Sequence, residues 1–144
     1  MPYLTDQPID PAALIGAVES AERGGIACFF GAVRNHHGGR AVARLEYSAY
    51  GPMAEAECER IVAEAKTRWP VAVALVHRVG RLGIGDTAVA IAVAGAHRDE
   101  AFAACRHVIE EVKRRVPIWK REFYADGTEA WVGVETLAAG RSGS

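Results

Sequence analysis

The sequence predicts an α+β domain in which helices lie on a mainly antiparallel sheet. Three observations carry this. Apolar residues recur at helical spacing in three stretches, they alternate or form short runs in five others, and glycine or proline punctuates most boundaries between them. The resulting order is αββαββαβ, with helices segregated onto a sheet rather than alternating with parallel strands.

The first helix is predicted over residues 10–23. Asp10 is a good N-cap, Pro11 suits the first helical position, Leu14, Ile15 and Val18 share a face, and Gly24-Gly25 ends it. Residues 26–34 (IACFFGAVR) and 42–50 (VARLEYSAY) read as two strands around His37-Gly38-Gly39-Arg40, a Gly-Gly hairpin signal. In the second of these, Ala43, Leu45, Tyr47 and Ala49 alternate with Arg44, Glu46 and Ser48, which wets one face and implies an antiparallel sheet.

The second helix is read over 52–69, where Ala54, Cys58, Ile61, Ala65 and Trp69 recur at helical spacing, until Pro70 stops it. Strands over 71–79 and 87–96 follow, joined by a Gly83-x-Gly85-Asp86 turn. In the later one Val89, Ile91 and Val93 alternate with alanines, so one face is bulky, the other is flat enough for a helix to lie close, and both are covered. The third helix, 98–116, has Phe102, Cys105, Ile109, Val112 and Val116 as its buried seam. Pro117 breaks it, and 118–124 (IWKREFY) returns as a strand with Trp119, Arg121 and Phe123 on one side and Ile118, Lys120 and Glu122 on the other.

The length of 144 residues is one domain's worth, taken as 1–137, with a small Gly/Ser-containing tail at 138–144 expected to fray. Half of the residues are hydrophobic, enough for one core without disulfide staples. Cys28, Cys58 and Cys105 form no C-x-x-C pair and are odd in number, which argues against a disulfide framework or a zinc site and fits a reducing cytoplasm. Each reads as a small buried hydrophobe, and Met53 and Trp69 as core. The N-terminus has no basic or apolar leader and no apolar run approaches the ~18 residues of a membrane span, so a soluble protein away from membranes is expected. P-loop, G-x-G-x-x-G and G-x-S-x-G motifs do not occur. Adjacent His36-His37 lack a spaced third ligand, so neither a metal nor a cofactor is expected.

Charge segregation is the strongest chemical signal. Residues 113–121 (KRRVPIWKR) carry five positive charges and no negative one in a chain whose net charge is only −1. Arg114 and Arg115 have a plain reading as partners of the helix C-terminal dipole. Lys113 stands at the edge of the buried stripe, and Lys120 lies just past the Pro117 break, so two ammonium groups can converge from different elements. Like charges and desolvation both lower lysine pKa values, which suits a nucleophile, a proton shuttle or an anion clamp. His97-Arg98 opens the third helix, where free N–H groups and the dipole favour an anion. Arg34 closes a strand, and its fork suits phosphate or carboxylate. The residues alone thus point to an anionic ligand.

The blocks FFGAVRNHHGG, LEYSAYGPMAE, RWP, HRVGRLGIGD, AHRDEAFAAC and VKRRVPIWKRE, in this order and spacing, closely resemble the large, catalytic subunit of molybdopterin synthase, the MoaE family. The match spans about residues 10–134. The resemblance implies an α/β-hammerhead fold and a homodimer within a heterotetramer, with a small ubiquitin-like sulfur carrier docked at each end. It implies transfer of two sulfurs from the carrier's thiocarboxylated Gly-Gly C-terminus to cyclic pyranopterin monophosphate, forming the dithiolene of molybdopterin. It carries Lys113 and Lys120 over as active-site lysines and His97 and Arg98 as pterin and phosphate contacts. Arg34 becomes an arginine reaching the pocket from across the dimer, and Arg121 and Glu122 follow in the matching block. Ala32 and Gly51 depart from residues frequent in the family. The competing reading is a non-catalytic module that binds an acidic partner or nucleic acid through 113–121, with Trp119 stacking on a base; a chain net of −1 supplies no general field for nucleic acid.

Overall fold

A computed structural model describes residues 2–132; the predicted tail at 138–144 and the end of the predicted domain lie outside the described residues. The elements run β1 (Leu4–Thr5), α1 (Pro11–Gly16), β2 (Gly25–Ala32), β3 (His36–His37), β4 (Arg40–Ala49), α2 (Gly51–Arg68), β5 (Val71–Arg78), β6 (Gly80–Gly83), β7 (Thr87–Gly95), α3 (Arg98–Arg115), β8 (Ile118–Tyr124) and β9 (Glu129–Val132). They build two sheets. The first has the order β1-β5-β7-β2, antiparallel except for the β1·β5 pair. The second has the order β3-β4-β8-β9, with β6 also on β4, and is antiparallel throughout.

Alternation along β7 organises the first sheet. Val89, Ile91 and Val93 meet Ala54, Cys58, Ile61 and Ala65 of α2 and Ala101, Ala104, Val108 and Val112 of α3 in the main core. On the reverse face Ala92 and Ala94 pack with Val18 and Leu14 at α1, so both faces are covered as the alternation implies. Burying each such valine or isoleucine contributes about 1.5–3 kcal/mol. The second sheet has a smaller core of Val33, Val42, Leu45, Leu82, Ala88 and Tyr124.

The paired ends of β2 and β7 are Gly25 and Gly95. A Cβ on Gly95 would fall 2.7 Å from Glu100 Cγ, and one on Gly25 3.0 Å from the His97 carbonyl carbon. Glycine at both positions therefore lets the first turn of α3 sit directly on the sheet end.

Several expectations need correction. The first helix is only Pro11–Gly16, because beyond Val18 the segment Glu19-Ser20-Ala21-Glu22-Arg23 has no large apolar side chain to bury. The Gly-Gly hairpin is real, with φ of 58° and 78° at Gly38 and Gly39, but it joins β4 to the two-residue β3. The long strand before it, β2, belongs to the other sheet, where it pairs with β7 from Gly25 to Ala32 with an irregularity after Gly31, and Val33 N–H beyond it bonds to the Asp86 carbonyl. A bulge between Val42 and Arg44 turns Val42 and Leu45 both inward and leaves Ala43 exposed, which breaks the expected alternation.

The buried stripe of α3 is Ala101, Ala104, Cys105, Val108 and Val112, while Phe102 is 64% exposed. The small alanines let the helix lie close to the sheet, which rotates the seam away from Phe102. Cys28, on edge strand β2, and Met53, at 54% exposure, also face outward, contrary to the core reading. Trp69 is half-buried against the core, its ring edge-on to His107 at 5.4 Å.

Candidate active site

Helix α3 ends at Arg115, Val116 N–H still bonds back to Val112, and Ile118 N–H bonds to the Val116 carbonyl at 2.8 Å, so the chain reverses within three residues around Pro117. This reversal brings Lys113, in the last turn, and Lys120, on β8, to the same region. Lys120 opposes Tyr47 across the β4·β8 ladder and is half-buried. Burial pulls its pKa down, and the charges of Lys113 and Arg34 pull it further, while Glu122 opposes them. Two residues on, the same inward side of β8 presents Glu122, 2% exposed, whose Oε2 stands 4.0 Å from Lys120 Nζ.

Glu122 Oε1 accepts from His37 Nδ1 at 2.8 Å and from the Tyr124 hydroxyl at 2.9 Å. Burial alone would raise this carboxyl, but the His37 and Tyr124 hydrogen bonds and the charges of Lys120 and His37 outweigh it and hold the group below the usual carboxylate range. His77 closes another side. It continues the inward row of Val71 and Leu75, is buried, and shares a hydrogen bond of 2.8 Å with the Arg78 carbonyl through Nδ1. Its ring stands edge-on to Tyr47 at 5.1 Å. Burial, with the Lys113 charge adding to it and the Arg78 carbonyl opposing, pushes its pKa down to about 4, so at neutral pH it is an uncharged imidazole.

Of the residues singled out from sequence, Lys113, Lys120, Arg34 and Glu122 thus gather in one chain. The Arg34 charge bears on Lys120 of its own chain. His97 and Arg98 do not gather there. They open α3, and about 1.5 Å of rise per residue puts Arg98 roughly 22 Å along the helix from Lys113. Arg121 lies on the outer side of β8, bonded to Glu46 at 3.3 Å and Glu129 at 3.1 Å and stacked on Phe123 and Trp131. It is not part of the lysine pocket.

The basic run is also less basic than it reads. Arg114 pairs with Glu111, and Arg115 is clamped by Glu57 at 2.7 Å, Glu64 at 2.7 Å and Glu111 at 3.0 Å, tying α3 to α2. Sequence reasoning missed Tyr47, His77 and the role of His37. The available signal was His77 itself, an ionisable residue in the inward row of an otherwise apolar strand. Burial raises the Cys58 thiol to about 12 and the Cys105 thiol to about 11, which leaves both inert at neutral pH.

Comparison with known proteins meets this geometry. The family model described as MoaE protein matches residues 4–115. This chain belongs to the MoaE family. It is 47% identical to the molybdopterin synthase catalytic subunit 1 of Mycobacterium tuberculosis over 92% of this chain and 91% of that one. It is 44% identical to the molybdopterin synthase catalytic subunit of Bacillus subtilis, covering 94% and 87%. The crystal structure of molybdopterin synthase from Staphylococcus aureus superposes with a TM-score of 0.86 at 37% identity, covering 90% of this chain and 95% of that one. The α+β architecture is thus that of a solved member of the MoaE family.

Proposed function

We propose that this chain is the catalytic subunit of a molybdopterin synthase, a sulfurtransferase of molybdenum cofactor biosynthesis. It moves sulfur from the thiocarboxylated C-terminus of a small carrier subunit to cyclic pyranopterin monophosphate. The observation that supports this best is the half-buried Lys120 beside Lys113 and Arg34, with one buried carboxylate for balance. Both reactants are anions, and this pocket offers three cations built on separate elements. Relatives that match nearly the whole chain carry the same activity in their names.

In this reading the thiocarboxylate sulfur bonds to a side-chain carbon of the pterin, displacing the cyclic phosphate's oxygen from carbon in one transfer and the carbonyl oxygen as water in the other. Water then cleaves the carrier's acyl–sulfur bond, releasing the carrier as a carboxylate and leaving the sulfur on the pterin. Lys120 holds the terminal carbonyl or bonds it transiently; its depressed pKa raises the fraction of free amine. Lys113 steadies charge as the cyclic phosphate opens. Two transfers complete the dithiolene.

His97 and Arg98 serve the same substrate only if a second copy brings its α3 N-terminus to the lysines. The proposed homodimer does this, with a carrier at each end. Edge strand β2 exposes Ile26, Phe29 and Phe30, and Phe102 stands out from the same end of α3. Such a cluster suits an apolar interface. We place the protein in the cytoplasm, in keeping with three free cysteines. Among the described residues no helix is long and apolar enough to cross a membrane. The nucleic-acid reading loses its basis, because Arg114, Arg115 and Arg121 are held by carboxylates and Lys120 is half-buried.

The test mixes the purified protein with a thiocarboxylated carrier and cyclic pyranopterin monophosphate and follows dithiolene formation by mass spectrometry. Product with the wild type and none with Lys120→Ala is the expected result. A folded wild type that binds the carrier yet yields no product counts against the assignment.

A further inference from the structure

Glu122 is a buried carboxylate whose two oxygens serve different neighbours. Oε2 faces Lys120 Nζ at 4.0 Å, while Oε1 accepts from His37 Nδ1 and the Tyr124 hydroxyl. His37 is the outermost member of this chain of contacts, about a third of its side chain being exposed. It sits where the chain enters the Gly38-Gly39 turn, opposite Arg40 in the β3·β4 pair. The turn's two left-handed residues bring a side chain from the rim of the second sheet back over β8.

We propose that His37 is a positioning residue for Lys120: by donating its Nδ1–H to Glu122 Oε1, it keeps Glu122 ionised and its other oxygen on the lysine. This rests on the reading of Lys120 as the group that handles the carrier's carbonyl. A carboxylate removed from water needs several donors to stay charged. Here Oε1 has two, and one of them, Tyr124, is a neutral hydroxyl. Arg40 cannot replace His37, because its guanidinium lies over the Tyr124 ring at 3.6 Å and bonds to Asp126 and Thr128. The other groups bearing on the lysine and carboxylate are Lys113, Arg34 and Tyr47, and none of them donates a hydrogen bond to Glu122 among the described residues. Among the described residues Glu122 is the one anion raising the affinity of Lys120 for its proton. Losing its charge lets the lysine drift from the geometry in which it meets the carbonyl.

The test compares wild type, His37→Ala and His37→Asn, the last keeping an amide donor without a titratable ring. Two readouts are taken. One is the pH profile of dithiolene formation; the other is the titration of the Glu122 carboxyl by carbon-13 NMR, its signal assigned with Glu122→Gln. In His37→Ala, losing a donor moves the Glu122 titration up by about one pH unit, and the acid limb of the rate profile moves with it. His37→Asn returns both toward wild type. A His37→Ala protein with a lower Tm but unchanged titration and acid limb overturns the proposal, because His37 is then only a fastening of the hairpin. A His37→Asn protein that behaves as the alanine variant does also overturns it. If His37→Ala does not fold, His37→Met fills the space without donating and takes its place. If the wild type makes no product, the synthase reading fails while the NMR titration still decides what His37 does to Glu122.

Discussion

Lys120 and Glu122 stand two residues apart on one side of β8, ammonium to carboxylate 4.0 Å, yet the pair does not neutralise the lysine's discomfort. Burial and the charges of Lys113 and Arg34 outweigh the carboxylate, and the ammonium form is disfavoured in the fold. An environment hostile to a charge is what a nucleophilic or carbonyl-binding amine needs, and it is a cost to stability. Lys120→Met, similar in length and uncharged, is expected to abolish sulfur transfer without lowering Tm, and to leave stability unchanged or raised by ~0.5–2 kcal/mol. Calorimetry beside the mass-spectrometric assay checks this. A Tm lower by several degrees would mean that the pair chiefly holds the structure together.

His77 makes a prediction about acid. Its folded pKa is about 4 against 6.5 for a free histidine, so between those values the unfolded chain binds a proton that the native chain does not. Stability from this group is complete above pH 6.5 and falls as pH drops toward about 4, by up to ~1.4 kcal/mol per pH unit. In urea titrations at about pH 7 and about pH 4.5, His77→Gln is expected to lose less stability on acidification than wild type. Equal losses would show that some other group carries the acid sensitivity.

How much of this was legible in the sequence varies with how local the cause is. Helices α2 and α3, strand β7 and strand β8 follow from periodicity and from proline stops within each segment. The end of α1 does not, since a cap marks where a helix starts while packing decides how far it runs. The partner of β2 is not legible, because Gly38-Gly39 specifies a turn and says nothing of a strand that ends before it. Strands β6 and β9 are four residues each and exist through pairing with β4 and β8. In the site, Lys113 and Lys120 were readable because Pro117 forces a reversal between them. Arg121 belongs by the same alternation to the other side of β8 from Lys120, where it meets Glu46 and Glu129. His77 and Tyr47 come together only across two sheets, and no local pattern reports that.

Gly95 couples the fold to the proposed phosphate end. Glu100 accepts the His97 N–H at 2.9 Å, and a Cβ on Gly95 would press into Glu100 at 2.7 Å from Cγ and 3.3 Å from Cδ. Gly95→Ala is expected to displace that side chain and cost about 0.5–2 kcal/mol, the worth of a helix cap. It should also raise the KM for the pterin substrate more than it lowers kcat, since the disturbed group orients substrate while Lys120 is untouched. Denaturation midpoints and steady-state kinetics read the two effects separately. A drop in kcat alone would place the start of α3 away from substrate binding.

The roughly 22 Å of helix between Arg98 and Lys113 separates two proposed halves of one site, and a dimer joins them only if each pocket draws its lysines from one chain and His97 from the other. His97→Ala and Lys120→Ala proteins should then each be inactive as pure dimers. Unfolded, mixed in equal amounts and refolded together, half of the dimers are hybrids, and in each hybrid one pocket carries both lesions while the other carries none. The mixture should therefore recover about a quarter of wild-type activity. If every pocket is built within a single chain, no mixture regains activity, because every pocket retains one lesion. Recovery that vanishes when Phe30→Glu is added to both chains would further tie the shared pocket to the exposed edge of β2, where an apolar contact cannot tolerate a buried charge.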